Sequence, residues 1–197
     1  MTAKDIKRAI FLDRDGTISP DEYGYNGDPA RYELYEESIP ALRIFQDLGY
    51  YLFIVTNQSG IARKYFTLED LDSVHAKMHR LLEQGGVHLD KVYFAPYHID
   101  GILPPYNVRH EDRKPGIGMF KHAMRDFSFD PRKSFMIGDR YTDIAFAQQA
   151  RLKSILVLTG DGREEFCRLL RGERKLMPNF ICDNLLAAAQ MIKRFYP

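Results

Sequence analysis

Ala9-Ile10-Phe11-Leu12-Asp13-Arg14-Asp15-Gly16-Thr17 is the stretch whose reading decides the fold. Four apolar residues run without a break and are bounded by charge, as in a short strand buried on both faces. Asp13 and Asp15 then stand one residue apart at its C-terminal end, the edge where open α/β sheets bind ligands. Gly16 permits a tight turn and Thr17 adds a hydroxyl. An isolated Asp-x-Asp is a common acidic corner. This one is followed, in order, by three further polar clusters.

Outward from that strand the chain alternates. Ser19 to Tyr35, rich in Pro, Gly, Asp, Asn and Tyr, reads as a long loop over the strand edge. Glu36 to Leu48 has Ile39, Leu42, Ile44, Phe45 and Leu48 at helical spacing, with Gly49 as a C-cap. Tyr51 to Val55 is a second buried strand, ending in Thr56-Asn57-Gln58-Ser59-Gly60. Thr67 caps a helix to Gln84, with Asp70 completing a capping-box pattern. Lys91 to Ala95 is a third strand and Pro96 to Asp112 an irregular insert. A helix over Met119 to Phe127, a strand over Ser134 to Gly138 and a helix over Thr142 to Ala150 follow. Strands at Ile155–Leu158 and Phe180–Cys182 and a helix over Leu185 to Phe195 complete the chain. Such alternation predicts an α/β fold, a doubly wound parallel sheet with right-handed crossovers.

The 197 residues suit one domain spanning 1–197, with 45% hydrophobic and 28% charged residues as in globular proteins. The net charge of +1 gives no argument for nucleic acid or an anionic membrane. The longest apolar run, Tyr51 to Val55, is far short of the ~20 residues a membrane span needs, and the N-terminus has no signal-peptide pattern. Cys167 and Cys182 form no CxxC pair, which suits a reducing cytoplasm. The expectation is a cytoplasmic protein, a monomer or small homo-oligomer, that binds neither membrane nor nucleic acid.

The four polar clusters are Asp13/Asp15, Thr56-Asn57, Arg113-Lys114 and Asp139/Asp143. Each follows a predicted strand or lies in a loop that returns to the same edge. Carboxylates from two strand ends demand a counter-charge. A hard divalent cation with oxygen ligands meets that demand, and Mg²⁺ is commonly held by one or two carboxylates, waters and a substrate phosphate. Lys114 adds a fixed positive charge; Thr56 and Asn57 add neutral donors. A carboxylate nucleophile, a cation, a lysine and a hydroxyl are the parts phosphoryl transfer needs.

Asp13-Arg14-Asp15-Gly16-Thr17, Thr56, Lys114 and Gly138-Asp139-x-x-x-Asp143 resemble the four motifs of the haloacid dehalogenase superfamily of phosphohydrolases, from Phe11 to about Gly160. Thr56-Asn57-Gln58-Ser59-Gly60-Ile61-Ala62-Arg63 and Arg113-Lys114-Pro115 resemble the subfamily that holds heptose-bisphosphate and histidinol-phosphate phosphatases. The resemblance implies Asp13 as nucleophile, Asp15 as general acid and base, Thr56 on the phosphoryl group and Lys114 on the developing charge. It implies Mg²⁺ on Asp13, Asp139 and the Asp15 backbone carbonyl, with Asp143 in support, and Asn57, Ser59 and Arg113 on the substrate. The gaps between motifs are filled by predicted helices, so no large cap domain fits. The expected activity is a phosphomonoesterase on a small phosphorylated metabolite, a sugar phosphate or heptose bisphosphate. Histidinol phosphate is the alternative; a nucleic-acid 3′-phosphatase and a regulatory phospho-acceptor are weaker ones. Asp15 argues against the last, since a base two residues from the nucleophile hydrolyses the intermediate.

Many members of the subfamily carry a zinc loop of Cys-x-His and then Cys-x-Cys before Arg-Lys-Pro. Here Ala95-Pro96-Tyr97 and His110-Glu111-Asp112 stand there. Structural zinc takes four N or S ligands, so a structural zinc is not expected, His98 and His110 notwithstanding. The expectation is a loop packed by Tyr97, Pro104, Pro105 and Tyr106. His75 and His79 lack the glutamate of HExxH and read as packed or surface histidines. Arg63 and Lys64 are weighed between a second phosphate and solvent, and Arg168, Arg171, Arg174 and Lys175 read as a solvated helix end. Tyr23, Tyr25, Tyr32 and Tyr35 fall in the loop after the nucleophile, positioned for one or two to meet substrate.

Overall fold

A computed structural model describes residues 6–21 and 24–197. β1 (Ala9–Leu12) lies inside a parallel sheet with β2 (Tyr51–Asn57), β3 (Lys91–Ala95), β4 (Phe135–Gly138), β5 (Lys153–Val157) and β6 (Phe180–Cys182), in the order β3-β2-β1-β4-β5-β6. β1 pairs β2 in the register Ala9 with Tyr51 and Leu12 with Ile54, and β4 with Leu12 opposite Ile137. The chain leaves β1 toward β2 and β3, then returns to its other side at β4. This reversal opens the crevice at the C-terminal ends of β1 and β4, where doubly wound sheets take ligands.

The alternation of side chains along β1 builds the two layers. Ile10 and Leu12 face α1 (Ser38–Asp47), α2 (Leu68–Gln84) and α6 (Leu185–Phe195), in a core with Phe45, Met78 and Ile192. Ala9 and Phe11 face the other way, toward α3 (Gly118–Asp126) and α4 (Tyr141–Ala150), with Phe146 and Phe129. Phe11 is fully buried, edge-on to Phe53 at 5.2 Å and to Phe129 at 5.6 Å between ring centroids. Truncating such a ring to alanine costs about 3–5 kcal/mol. Rigid packing under β1 keeps the loop beyond Leu12 in register with its neighbours.

The capping box at Thr67 is complete: the Asp70 N–H donates to Thr67 Oγ1 at 3.1 Å and the Thr67 N–H donates to Asp70 Oδ2 at 2.8 Å. β2 runs two residues past the apolar stretch, to Asn57, and α1 begins at Ser38 rather than Glu36. The sequence suggests the end of one helix, at Arg168 to Lys175, without bounding it; the helix is α5 (Gly162–Leu170), where Ile144, Leu156 and Leu169 form a small core of their own. The expected solvated arginines belong to its end, where Arg174 is forked onto Glu165 at 2.9 and 3.0 Å. Residues 96–117 hold neither helix nor strand, as expected of the insert. Among the described residues no helix is long and apolar enough to cross a membrane.

Candidate active site

Two strand ends and one helix turn deliver the acidic centre. Asp13 follows β1, Asp139 follows β4, and Asp143 sits in the first turn of α4, all buried. One ligand oxygen from each lies within 4.8 Å of the others. Into this group reaches Lys114, itself buried, its Nζ 2.9 Å from Asp13 Oδ2 and 2.7 Å from Asp143 Oδ1. Burial pushes the Asp13 carboxyl up to about 6, with Lys114 pulling against it and Asp143 and Asp15 adding to it. Asp139 is held well above the usual carboxylate range by burial and by Asp13 and Asp143. Burial works against the Lys114 ammonium, but the two carboxylates outweigh it and its proton is held more firmly than usual. Three carboxylates thus face one ammonium, a local negative excess.

Each carboxylate is fixed from behind. Asp143 Oδ2 accepts the Arg140 N–H at 3.0 Å, so both Asp143 oxygens are engaged. Asp139 Oδ2 accepts the Asp161 N–H at 2.9 Å, while its Oδ1 has only a long 3.5 Å contact from Thr17 Oγ1. Gly16, at φ +78°, closes on the Asp139 carboxylate so tightly that a Cβ there would overlap it. Lys114 is placed by Asn57: the Lys114 N–H donates to Asn57 Oδ1 at 2.9 Å and Asn57 Nδ2 donates to the Lys114 carbonyl at 3.0 Å. Asn57, expected on the substrate, is thereby committed to the lysine's backbone, although it also borders the cavity.

The other wall holds Asp15 and Thr56. Arg14, fully buried, forks onto the Asp15 carboxylate, Nε to Oδ1 at 3.0 Å and Nη2 to Oδ2 at 2.9 Å, and Nη2 also donates to the Asn26 carbonyl at 3.1 Å. Gln58 Nε2 lies 2.8 Å from Asp15 Oδ2 and 2.8 Å from Thr56 Oγ1. Neither Arg14 nor Gln58 was singled out from the sequence. The signal was available for Gln58: side chains two apart along a strand share a face, which puts it with Thr56 and sets Asn57 on the opposite side.

Between the walls lies a cavity of about 220 Å³, bordered by Asp13, Asp15, Thr56, Ser59, Arg63 and Arg113, among others. Its outer end is basic. Arg63 Nη2 lies 3.2 Å from the His98 ring nitrogens, and Arg113 Nη1 and Arg63 Nε have no hydrogen-bond partner among the described residues. Burial, Arg113 and Arg63 all push His98 toward its neutral form. Of the loop tyrosines, Tyr25 borders the cavity and meets Tyr65 edge-on at 4.6 Å, while Tyr32 is buried in the core. Tyr35 is half-buried, and Tyr23 lies outside the described residues. His75 is buried against the Phe94 ring, 5.9 Å between centroids. In the insert, Tyr97 stacks on His110 at 3.8 Å and lies 5.9 Å from Tyr106.

A family model described as HAD-hydrolase-like matches residues 112–188. D-glycero-beta-D-manno-heptose-1,7-bisphosphate 7-phosphatase of Pasteurella multocida is 35% identical over 189 residues, covering 95% of this chain and 98% of the relative. That of Haemophilus influenzae is 34% identical over 190 residues, covering 96% and 98%. The crystal structure of D,D-heptose 1,7-bisphosphate phosphatase from B. bronchiseptica, complexed with magnesium and phosphate, superposes with a TM-score of 0.83 at 29% identity, over 95% of this chain and 98% of that one. The chain belongs to the haloacid dehalogenase-like hydrolases, and it is a phosphatase. Within that family, the relatives named here are heptose 1,7-bisphosphate phosphatases.

Proposed function

We infer that the protein removes one phosphate from a sugar bisphosphate, a heptose bisphosphate in the first place, through an aspartyl-phosphate on Asp13 and with Mg²⁺. The observation that carries the reading is the buried Asp13–Lys114 pair, with Asp13 bordering the same cavity as Asp15 and Thr56. The ammonium stabilises the Asp13 carboxylate as an anion, the form that attacks. Asp13 attacks phosphorus and the bond to the ester oxygen breaks as Asp15 gives that oxygen a proton. Water then attacks phosphorus, gives its proton to Asp15, and the bond to Asp13 breaks, restoring the carboxylate. Thr56 and Lys114 bind the phosphoryl oxygens as charge builds on them.

The negative excess beside Lys114 fits a divalent cation, and one oxygen each of Asp13, Asp139 and Asp143 lies within 4.8 Å of the others. Asp13, Asp139 and the Asp15 carbonyl would hold Mg²⁺, with Asp143 supporting Lys114 behind them. The ion would neutralise phosphoryl charge. A structural zinc has no place in this proposal, because Ala95, Tyr97 and Asp112 offer no thiolate and Tyr97 and His110 are stacked on each other. The chain would work as a single domain.

A second phosphate is favoured by Arg63 and Arg113 at the outer end, whose guanidinium groups have hydrogen-bonding capacity to spare. Phosphate release should show kcat/KM highest for heptose 1,7-bisphosphate among sugar monophosphates, sugar bisphosphates and histidinol phosphate. A preference for histidinol phosphate by more than about tenfold, about 1.4 kcal/mol, would overturn the substrate.

A further inference from the structure

The geometry points to Gln58 as a positioning residue that couples the phosphoryl-binding hydroxyl of Thr56 to the acid–base carboxylate of Asp15. The inference rests on the phosphatase reading above. Gln58 is 3% exposed, and its amide lies between the two groups at 2.8 Å from each. The amide nitrogen faces Asp15 and donates to its Oδ2. The same nitrogen then gives its second N–H to Thr56 Oγ1. With that oxygen already accepting, the Thr56 hydroxyl proton is directed away from Gln58, and Thr56 borders the cavity. One amide therefore sets two things: which way Thr56 donates, and where the Asp15 carboxylate stands.

Arg14 cannot do this alone. Its fork grips Asp15 along both oxygens, but it comes from the adjacent residue and, among the described residues, its side chain hydrogen-bonds to nothing on β2. Among the described side chains, Gln58 supplies the hydrogen bonds by which Asp15 and Thr56 share a partner. The two groups serve the same phosphoryl group from different strands, and an error of about 1 Å in such a pair costs on the order of a hundredfold in rate. Asp15 acts through its distance to the ester oxygen and then to the water, so loosening it harms the second half of the reaction even when the first is easy.

The separation of halves supplies the test. With p-nitrophenyl phosphate the leaving oxygen departs without a proton, whereas hydrolysis of the aspartyl-phosphate still needs Asp15 as base. Gln58→Met keeps the volume and removes both donors. Stopped-flow measurement should show a burst of nitrophenolate approaching one per chain, then a steady state at least about tenfold slower than wild type, with KM changed less than about threefold. Gln58→Asn, polar and one methylene shorter, should give the same burst with a smaller loss, and it carries the test if the methionine variant does not fold. Wild-type kcat in the asparagine variant would overturn the inference. So would a loss in either variant that slows both halves equally and leaves no burst, the mark of a merely structural residue. Asp13→Asn separates the two readings: if wild type turns over and Asp13→Asn does not, the phosphatase reading stands whatever Gln58 shows. If wild type releases phosphate from no ester, both fall.

Discussion

Replacing Lys114 with methionine removes the one ammonium from a buried group of three carboxylates while keeping the side chain's length and apolar stem. Even beside the lysine, Asp13 is raised from 3.8 to about 6, a cost of about 3 kcal/mol for holding it ionised at neutral pH. Removing one partner of a buried pair costs about 3–5 kcal/mol, because the other charge is left uncompensated. The pH dependence has a definite sign. A carboxylate whose folded value is raised binds its proton more tightly when folded, so stability is lost as pH rises through the unfolded value toward the folded one. Without Lys114 the folded value of Asp13 rises further, and the loss extends above pH 6. Thermal unfolding of the metal-free variant should therefore show a small deficit at pH 5 and one of about 3–5 kcal/mol at pH 8. For a chain of this size that is a Tm lower by on the order of 10 °C. Mg²⁺ at pH 8 should recover part of it. A deficit equal at pH 5 and pH 8, unmoved by Mg²⁺, would refute the electrostatic account of the site.

Asp13→Asn should abolish turnover and Asp15→Asn should leave phosphate release severely reduced, measured on folded protein; EDTA should silence wild type and Mg²⁺ restore it. Mg²⁺ binding should weaken as pH falls below about 6, since protonated Asp13 competes with the ion, and calorimetry in two buffers of different ionisation enthalpy should detect proton release. Elemental analysis of purified protein should find no stoichiometric zinc; about one per chain would point to His98 and His110. Burial and the nearby Arg14 charge push His75 down to about 3, so folded protein loses stability as pH falls below the unfolded value of 6.5 toward 3. His75→Leu should raise stability at pH 4 relative to wild type and leave it nearly unchanged at pH 8, by urea unfolding.

The sheet was legible because its strands are uninterrupted apolar runs, and the acidic clusters because each directly follows one. Lys114 follows no strand; its place at Asp13 was implied by family resemblance, and the structure shows the physical means, the reciprocal amide bonds of Asn57. What stayed hidden depends on side-chain direction. Asn57 and Gln58 are both amides in one polar run, yet one turns to Lys114 and the other to Asp15. Arg14 reads as a surface charge between two aspartates, but Asn26 and Tyr32 arrive from a distant loop to cover it. α5 was not bounded because Arg163, Glu164, Glu165 and Arg168 crowd its few apolar positions, so its buried stripe of Phe166 and Leu169 is too short to show periodicity.

The reciprocal bonds between Asn57 and Lys114 also bear on how this enzyme diversifies. Lys114 is held at its backbone from β2 and at its ammonium by Asp13 and Asp143. The tether falls just after the irregular insert, and the insert has its own anchor, the Ile102 and Leu103 N–H groups on the Ala62 carbonyl. Lys114 therefore keeps its place beside Asp13 through contacts outside the segment from Pro96 to Asp112. Exchanging 96–112 for a relative's loop should change which esters are accepted while Asp13 is still phosphorylated; a chimera that folds yet cannot be phosphorylated would place the anchor elsewhere.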